Sequence, residues 1–182
     1  MARRIGSNFD ITAPIIHFRY SGIPGSIKLK DQLYYVKLND KSPMTHKKSL
    51  EEIARMFRRE FQYDFIPFCA NSKINNDVPF LIWFNDYLRS ECVGGFHMVW
   101  VDELSNYLLG WVWLHPYIRN KGILSMLWPK LREEFGAFLV EAPLSQTMVA
   151  FLRKRNECYR HYKTCPSDCR FLKTEQLNSK AG

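Results

Sequence analysis

Three apolar segments follow one another closely between residues 78 and 114, and nothing else in the chain restricts its fold so much. Val78–Phe84, Val93–Val101 and Tyr107–Leu114 are rich in β-branched and aromatic residues, which suit a pleated, half-buried surface. Asn85–Glu91 and Asp102–Asn106 separate them, and both lengths suit hairpins. An antiparallel meander is the natural pairing. After Gly122 the period changes: Ile123, Met126, Leu127 and Leu131 make one apolar helical face, with Lys130, Arg132, Glu133 and Glu134 outside it. Pro129 falls inside this helix and is expected to kink or loosen it, and Gly136 to close it. Ala137–Val140 reads as a short buried strand, Pro143 as a break, and Ser145–Arg155 as a helix opened by a serine cap. Strand, helix and strand beside a meander imply a right-handed parallel crossover. The expected class is α/β, with a mixed sheet in one domain.

Upstream, Ile11–Phe18 and Leu33–Leu38 read as strands around a turn at Gly22, Pro24 and Gly25. Leu50, Ile53, Ala54, Phe57 and Phe61 have helical spacing, and Ser49 with Glu52 fits a capping box that would start the helix at Ser49. Asn71–Asp77 is loop, and the tail after Lys173 is expected to fray.

With 182 residues, 46% of them hydrophobic, the chain has enough apolar mass for one core and is a poor candidate for disorder. No apolar run approaches the ~20 residues of a membrane span, and the basic N-terminus lacks the apolar stretch of a signal peptide. Five cysteines, an odd number clustered late, suit reduced thiols, so a cytoplasmic location is expected. The formal charge of +8 suggests an anionic partner: nucleic acid, an acidic protein surface or a phosphate-rich cofactor.

The chemistry is concentrated where the third meander strand gives way to the helix. Val112, Trp113 and Leu114 end the strand, Pro116 stops its pairing, and Arg119-Asn120-Lys121-Gly122 leads into Ile123-Leu124-Ser125. The first N–H groups of a helix have no intrahelical acceptor and carry the positive end of its dipole. A phosphate or pyrophosphate fits that place, with charge added by Arg119 and Lys121. A solvated basic turn is the ordinary alternative for such a loop.

The order of elements around this loop resembles the GNAT superfamily of acyl-CoA N-acyltransferases. Its pyrophosphate motif, Arg/Gln-x-x-Gly-x-Gly/Ala, is similar to Arg119-Asn120-Lys121-Gly122-Ile123-Leu124, and Pro116 stands where the family often has proline. Phe138-Leu139-Val140-Glu141 looks like the fifth strand, and Ser145–Leu152 like the helix after it. The likeness covers about residues 78–156 and is vague over 1–77. Leu124 departs from the motif at a small-residue position, where its side chain would crowd a phosphate.

The resemblance implies a mostly antiparallel mixed sheet flanked by helices and splayed between its fourth and fifth strands. It implies acetyl-CoA as cofactor, held by backbone groups of Val112, Trp113 and Leu114 and by residues 119–125, with Ser145 near the pantetheine arm. The acceptor amine would attack the thioester directly, helped by a base and by an N–H facing the oxyanion. The expected base is Glu141, whose ordinary role is that of an exposed carboxylate at a strand end. The positions where relatives often carry a glutamate and a tyrosine are Leu108 and, approximately, Leu152. Tyr159, or Tyr162, is therefore the candidate acid. Asp102 and Glu103 are explained by turn propensity, and His97 reads as a structural histidine. Cys158, His161, Cys165 and Cys169 have spacings compatible with zinc but lack a Cys-x-x-Cys knuckle, so no metal is expected.

Together these readings predict an N-acetyltransferase acting on a macromolecule, either protein or tRNA. The alternatives are a basic binding module that has lost its chemistry and a small-molecule amine acetyltransferase.

Overall fold

The computed structural model describes residues 16–18, 23–86, 89–142, 144–155 and 157. Within them seven strands form one mixed sheet: β1 (Ile16–Phe18), β2 (Ile27–Lys30), β3 (Leu33–Lys37), β4 (Asp77–Asp86), β5 (Arg89–Val101), β6 (Asn106–Leu114) and β7 (Leu139–Val140). The helices are α1 (Met44–Phe61), α2 (Ile123–Phe135) and α3 (Gln146–Lys154). Strands β2 to β7 lie side by side in chain order, and β1 pairs with the start of β5. Every pairing is antiparallel except β6 with β7, which is parallel. The expected meander is therefore β4–β5–β6, and the crossover through α2 returns the chain to the edge of β6.

Alternation along the strands divides the core between two faces. Leu81, Trp83, Cys92, Trp111 and Trp113 pack with Leu50, Ile53, Ala54 and Met56 of α1. Phe80, Ile82, Val93, Phe96, Met98 and Leu109 pack with Ile123, Leu127, Trp128 and Leu131 of α2 and Leu152 of α3. Leu50 and Ile53 are wholly buried, each burial stabilising by about 1.5–3 kcal/mol. Leu152, wholly buried, and Leu108, nearly so, serve as packing.

Three expectations are corrected. The short strand β2 joins β3 through a turn with Asp31 at φ 46°. It escaped notice because Ile27, Lys28 and Lys30 are exposed and show no buried alternation. Helix α1 starts at Met44 behind Pro43, five residues before Ser49. Ser49 does not cap it: its hydroxyl donates to the Thr45 carbonyl at 2.9 Å, a bond back within the helix. Strand β7 contains only Leu139 and Val140 of the four residues expected. Pro129 lies inside α2, which runs on as one helix as expected. Its missing N–H leaves the Ser125 carbonyl without the usual i+4 donor, and Arg155 Nη2 donates to that carbonyl at 3.1 Å.

Gly136 closes α2 with its N–H on the Arg132 carbonyl, and the Ser145 hydroxyl caps α3 by accepting from Met148 N–H at 3.1 Å. Among the described residues no helix is long and apolar enough to cross a membrane. No group of His, Cys, Asp and Glu among them is placed to hold a metal. Tyr159, Tyr162 and the cluster of Cys158, His161, Cys165 and Cys169 lie outside the described residues.

Candidate active site

The site begins with an irregularity in β6. His97 of β5 faces Trp111 while its neighbour Met98 faces Leu109. Gly110 is therefore an extra residue, a β-bulge that bends and twists the strand locally. A side chain has no room there: a Cβ on Gly110 would lie 2.2 Å from His97 Nε2 and 3.3 Å from a Glu141 carboxylate oxygen. Glycine is required by this close approach.

Past the bulge, β6 loses its outer neighbour. Leu139 and Val140 pair with Leu108 and Leu109, and Glu141 N–H makes the next bond, 3.0 Å to the Leu109 carbonyl. No described strand then borders β6 on that outer side from Gly110 to Leu114. His115 N–H points the other way, to the Val93 carbonyl of β5 at 2.7 Å. Strand alternation accordingly puts the peptide groups of Val112 and Leu114 on the open edge and those of Trp113 against β5. The Leu114 carbonyl on that edge already accepts from Arg119 Nε at 2.7 Å.

At the end of the open edge lies the loop expected to hold phosphates. Asn120 (φ 61°) and Gly122 (φ 77°) take left-handed conformations that turn the chain into α2. No side chain caps the helix, and nothing approaches within 4 Å of where a Gly122 Cβ would be. The N–H groups of Ile123, Leu124 and Ser125 have no intrahelical acceptor. Leu124 is partly buried and packs against the α2–α3 core, so its side chain is directed into the protein. Lys121 is exposed, its ammonium 5.9 Å from the centre of the Tyr117 ring.

Arg119 has a different role from the one its position suggested. Nη1 and Nη2 each donate to a Glu60 carboxylate oxygen at 2.6 Å, and the guanidinium lies 5.4 Å from the Trp113 ring centre. Trp113 Nε1 donates to the same carboxylate at 2.6 Å. Arg119 thus ties α1 to the loop, leaving Lys121 and the backbone N–H groups as the positive features facing outward.

Glu141 and His97 converge on Gly110 from opposite sides. Glu141 is half-buried, and the loss of solvent raises its pKa above the usual carboxylate range. His97 is 8% exposed, and burial lowers its pKa to about 4, so the ring is neutral at physiological pH. Its Nδ1 is buried with no hydrogen-bond partner among the described residues, and so is Nε1 of Trp111, whose ring centre is 5.7 Å from that of His97. Buried polar atoms without partners are uncommon, and here two belong to adjoining side chains. Phe57 of α1 links this group to Tyr63, with ring centres 5.6 Å from Trp111 and 5.4 Å from Tyr63. The Tyr63 hydroxyl is held above its ordinary pKa by burial first, then by the charges of Glu141 and Asp64.

Of the residues singled out in the sequence, Val112, Leu114, Asn120–Ser125 and Glu141 border the open edge or the helix start, while Ser145 serves as a helix cap. His97, Trp111, Tyr63 and Glu60 were not expected to take part. A lone glycine inside Tyr107–Leu114 was the available signal for the bulge. No protein-family model matches this chain, and no curated protein matches it.

Proposed function

We propose that the chain is a GNAT-like N-acetyltransferase moving an acetyl group from acetyl-CoA to an amine of a macromolecule. In this reading β6 and β7 correspond to the family's fourth and fifth strands, and the sheet is splayed between them. The observation that carries it is the open edge of β6, produced by the Gly110 bulge and ending at the uncapped start of α2.

The residues present fit acetyl-CoA. The N–H groups of Ile123, Leu124 and Ser125 would take phosphate oxygens, with Lys121 supplying charge beside them. Gly122 leaves the approach clear, and Leu124 is turned away into the core. Unpaired peptide groups at Val112 would hold an extended amide chain as a neighbouring strand would. Acetyl-CoA supplies the activated acetyl group as a thioester.

Glu141 acts as the base. An acceptor amine must be neutral to attack, and the proton it loses goes to the Glu141 carboxylate, directly or through one water. Loss of solvent raises the Glu141 pKa, which makes its carboxylate a better base than an exposed one. Neutral His97 bounds the same space without adding a competing positive charge. The engagement of Arg119 by Glu60 favours the second reading, a binding module without chemistry.

The test is CoA thiol release in the presence of amine-bearing RNA and protein acceptors, with Glu141→Gln as comparison. Loss of about 10²- to 10⁴-fold in rate is expected for this variant, with acetyl-CoA affinity unchanged. Wild-type protein that binds acetyl-CoA yet releases no thiol with any acceptor would select the binding module.

A further inference from the structure

The C-terminal end of α1 borders a groove of about 430 Å³ whose lining includes Arg55, Arg58, Arg59, Tyr63 and Asp64. Arg55 is held by Glu51 and by Glu52, the latter at 3.4 Å. Arg58 gives its Nε to the Tyr63 carbonyl at 3.2 Å. Among the described residues Arg59 has no partner, and it is exposed. Arg58 and Arg59 thus oppose a single lining carboxylate, Asp64.

Tyr63 lines the groove with these cations, and two exposed rings lie near it in the chain. Phe65 is 60% exposed and Phe61 40%. The Phe65 ring lies 5.0 Å, edge-on, from Tyr63. Rings this open are poor packing groups, but they offer faces on which a planar base can stack. Guanidinium groups beside exposed rings form the combination that grips unpaired nucleotides: cations on the phosphates, rings under the bases. An acidic peptide would use the cations and leave the rings unexplained.

We propose that this groove binds single-stranded nucleic acid, with Arg58 and Arg59 on the phosphates and Phe65 and Tyr63 under the bases. The net charge of +8 adds long-range attraction for such a ligand. The groove also adjoins the candidate active site, because Phe57 touches both its Tyr63 wall and Trp111. That an amine on the bound strand is the acetyl acceptor rests on the transferase reading; the binding itself does not.

The experiment is fluorescence anisotropy of a labelled single-stranded RNA of about 12 nucleotides, a length within the usual span of such sites. It uses the full chain without acetyl-CoA, so its outcome is independent of cofactor binding. Arg58→Glu/Arg59→Glu is expected to weaken binding at least about tenfold and to flatten its salt dependence. Phe65→Ala, an exposed change that keeps the test open if the arginine variant does not fold, is expected to weaken it about fivefold or more. Its salt dependence should remain that of wild type. Affinity unchanged in both variants would overturn the proposal. So would equal affinity for the duplex of the same sequence, or tighter binding of a poly-glutamate peptide.

Discussion

Glu60 and Arg119 form a two-pronged ion pair across 59 residues of sequence, with 2.6 Å between donor and acceptor on each arm. The carboxylate sits in the last turn of α1, where the helix dipole is unfavourable to negative charge, and Trp113 Nε1 is its third donor. The pair is partly buried, and removing Arg119 leaves the more buried Glu60 carboxylate short of two of its donors. Arg119→Ala is therefore expected to lower stability to urea by about 1–3 kcal/mol. Glu60→Gln/Arg119→Ala should lose less than the sum of the losses of its two single substitutions. Additive losses in a double-mutant cycle would contradict the coupling.

The Gly110 bulge makes a second prediction. A methyl group there would overlap His97 Nε2 at 2.2 Å, and overpacking of this kind costs about 1–3 kcal/mol. Gly110→Ala should destabilise the fold and impair thiol release more than stability alone explains, because the strand edge would move. A variant of wild-type stability and activity would show that the close approach is unnecessary.

His97 gives a pH dependence whose sign is fixed. Its pKa falls from an ordinary 6.5 to about 4 on burial, so between those values the unfolded chain binds more protons than the folded one. Its contribution to stability is full above pH 6.5 and lost as pH falls toward about 4, a total on the order of 3 kcal/mol. Denaturation midpoints measured across this window should vary less in His97→Gln than in wild type. Parallel curves would mean that His97 is not buried as a neutral ring.

Much of the architecture was legible because β4, β5 and β6 bury alternate large apolar residues, and because Gly122 and Gly136 bracket a helix with one apolar face. Less local features were hidden. The first turn of α1 is polar after an exposed Met44, so its start behind Pro43 had no buried apolar period to mark it, and Ser49 bonds back to Thr45 instead of capping. At the site, Lys121, Gly122 and Glu141 stood out from loop chemistry and strand position. The pairing of Arg119 with Glu60 depends on how α1 lies against the sheet, which no local pattern records. His97 and Glu141 both approach Gly110 because β7 joins β6 in parallel register and glycine places no side chain between them.

Acetyl-CoA is proposed to bind along the open edge of β6 and at the start of α2. The direct measurement is calorimetric titration of the wild-type protein with acetyl-CoA, beside Lys121→Glu/Gly122→Asp, which places negative charge at the helix start without disturbing the Glu60–Arg119 pair. Micromolar binding by wild type, lost in a variant that still melts cooperatively, is the predicted result. Absence of binding by folded wild-type protein would contradict the account.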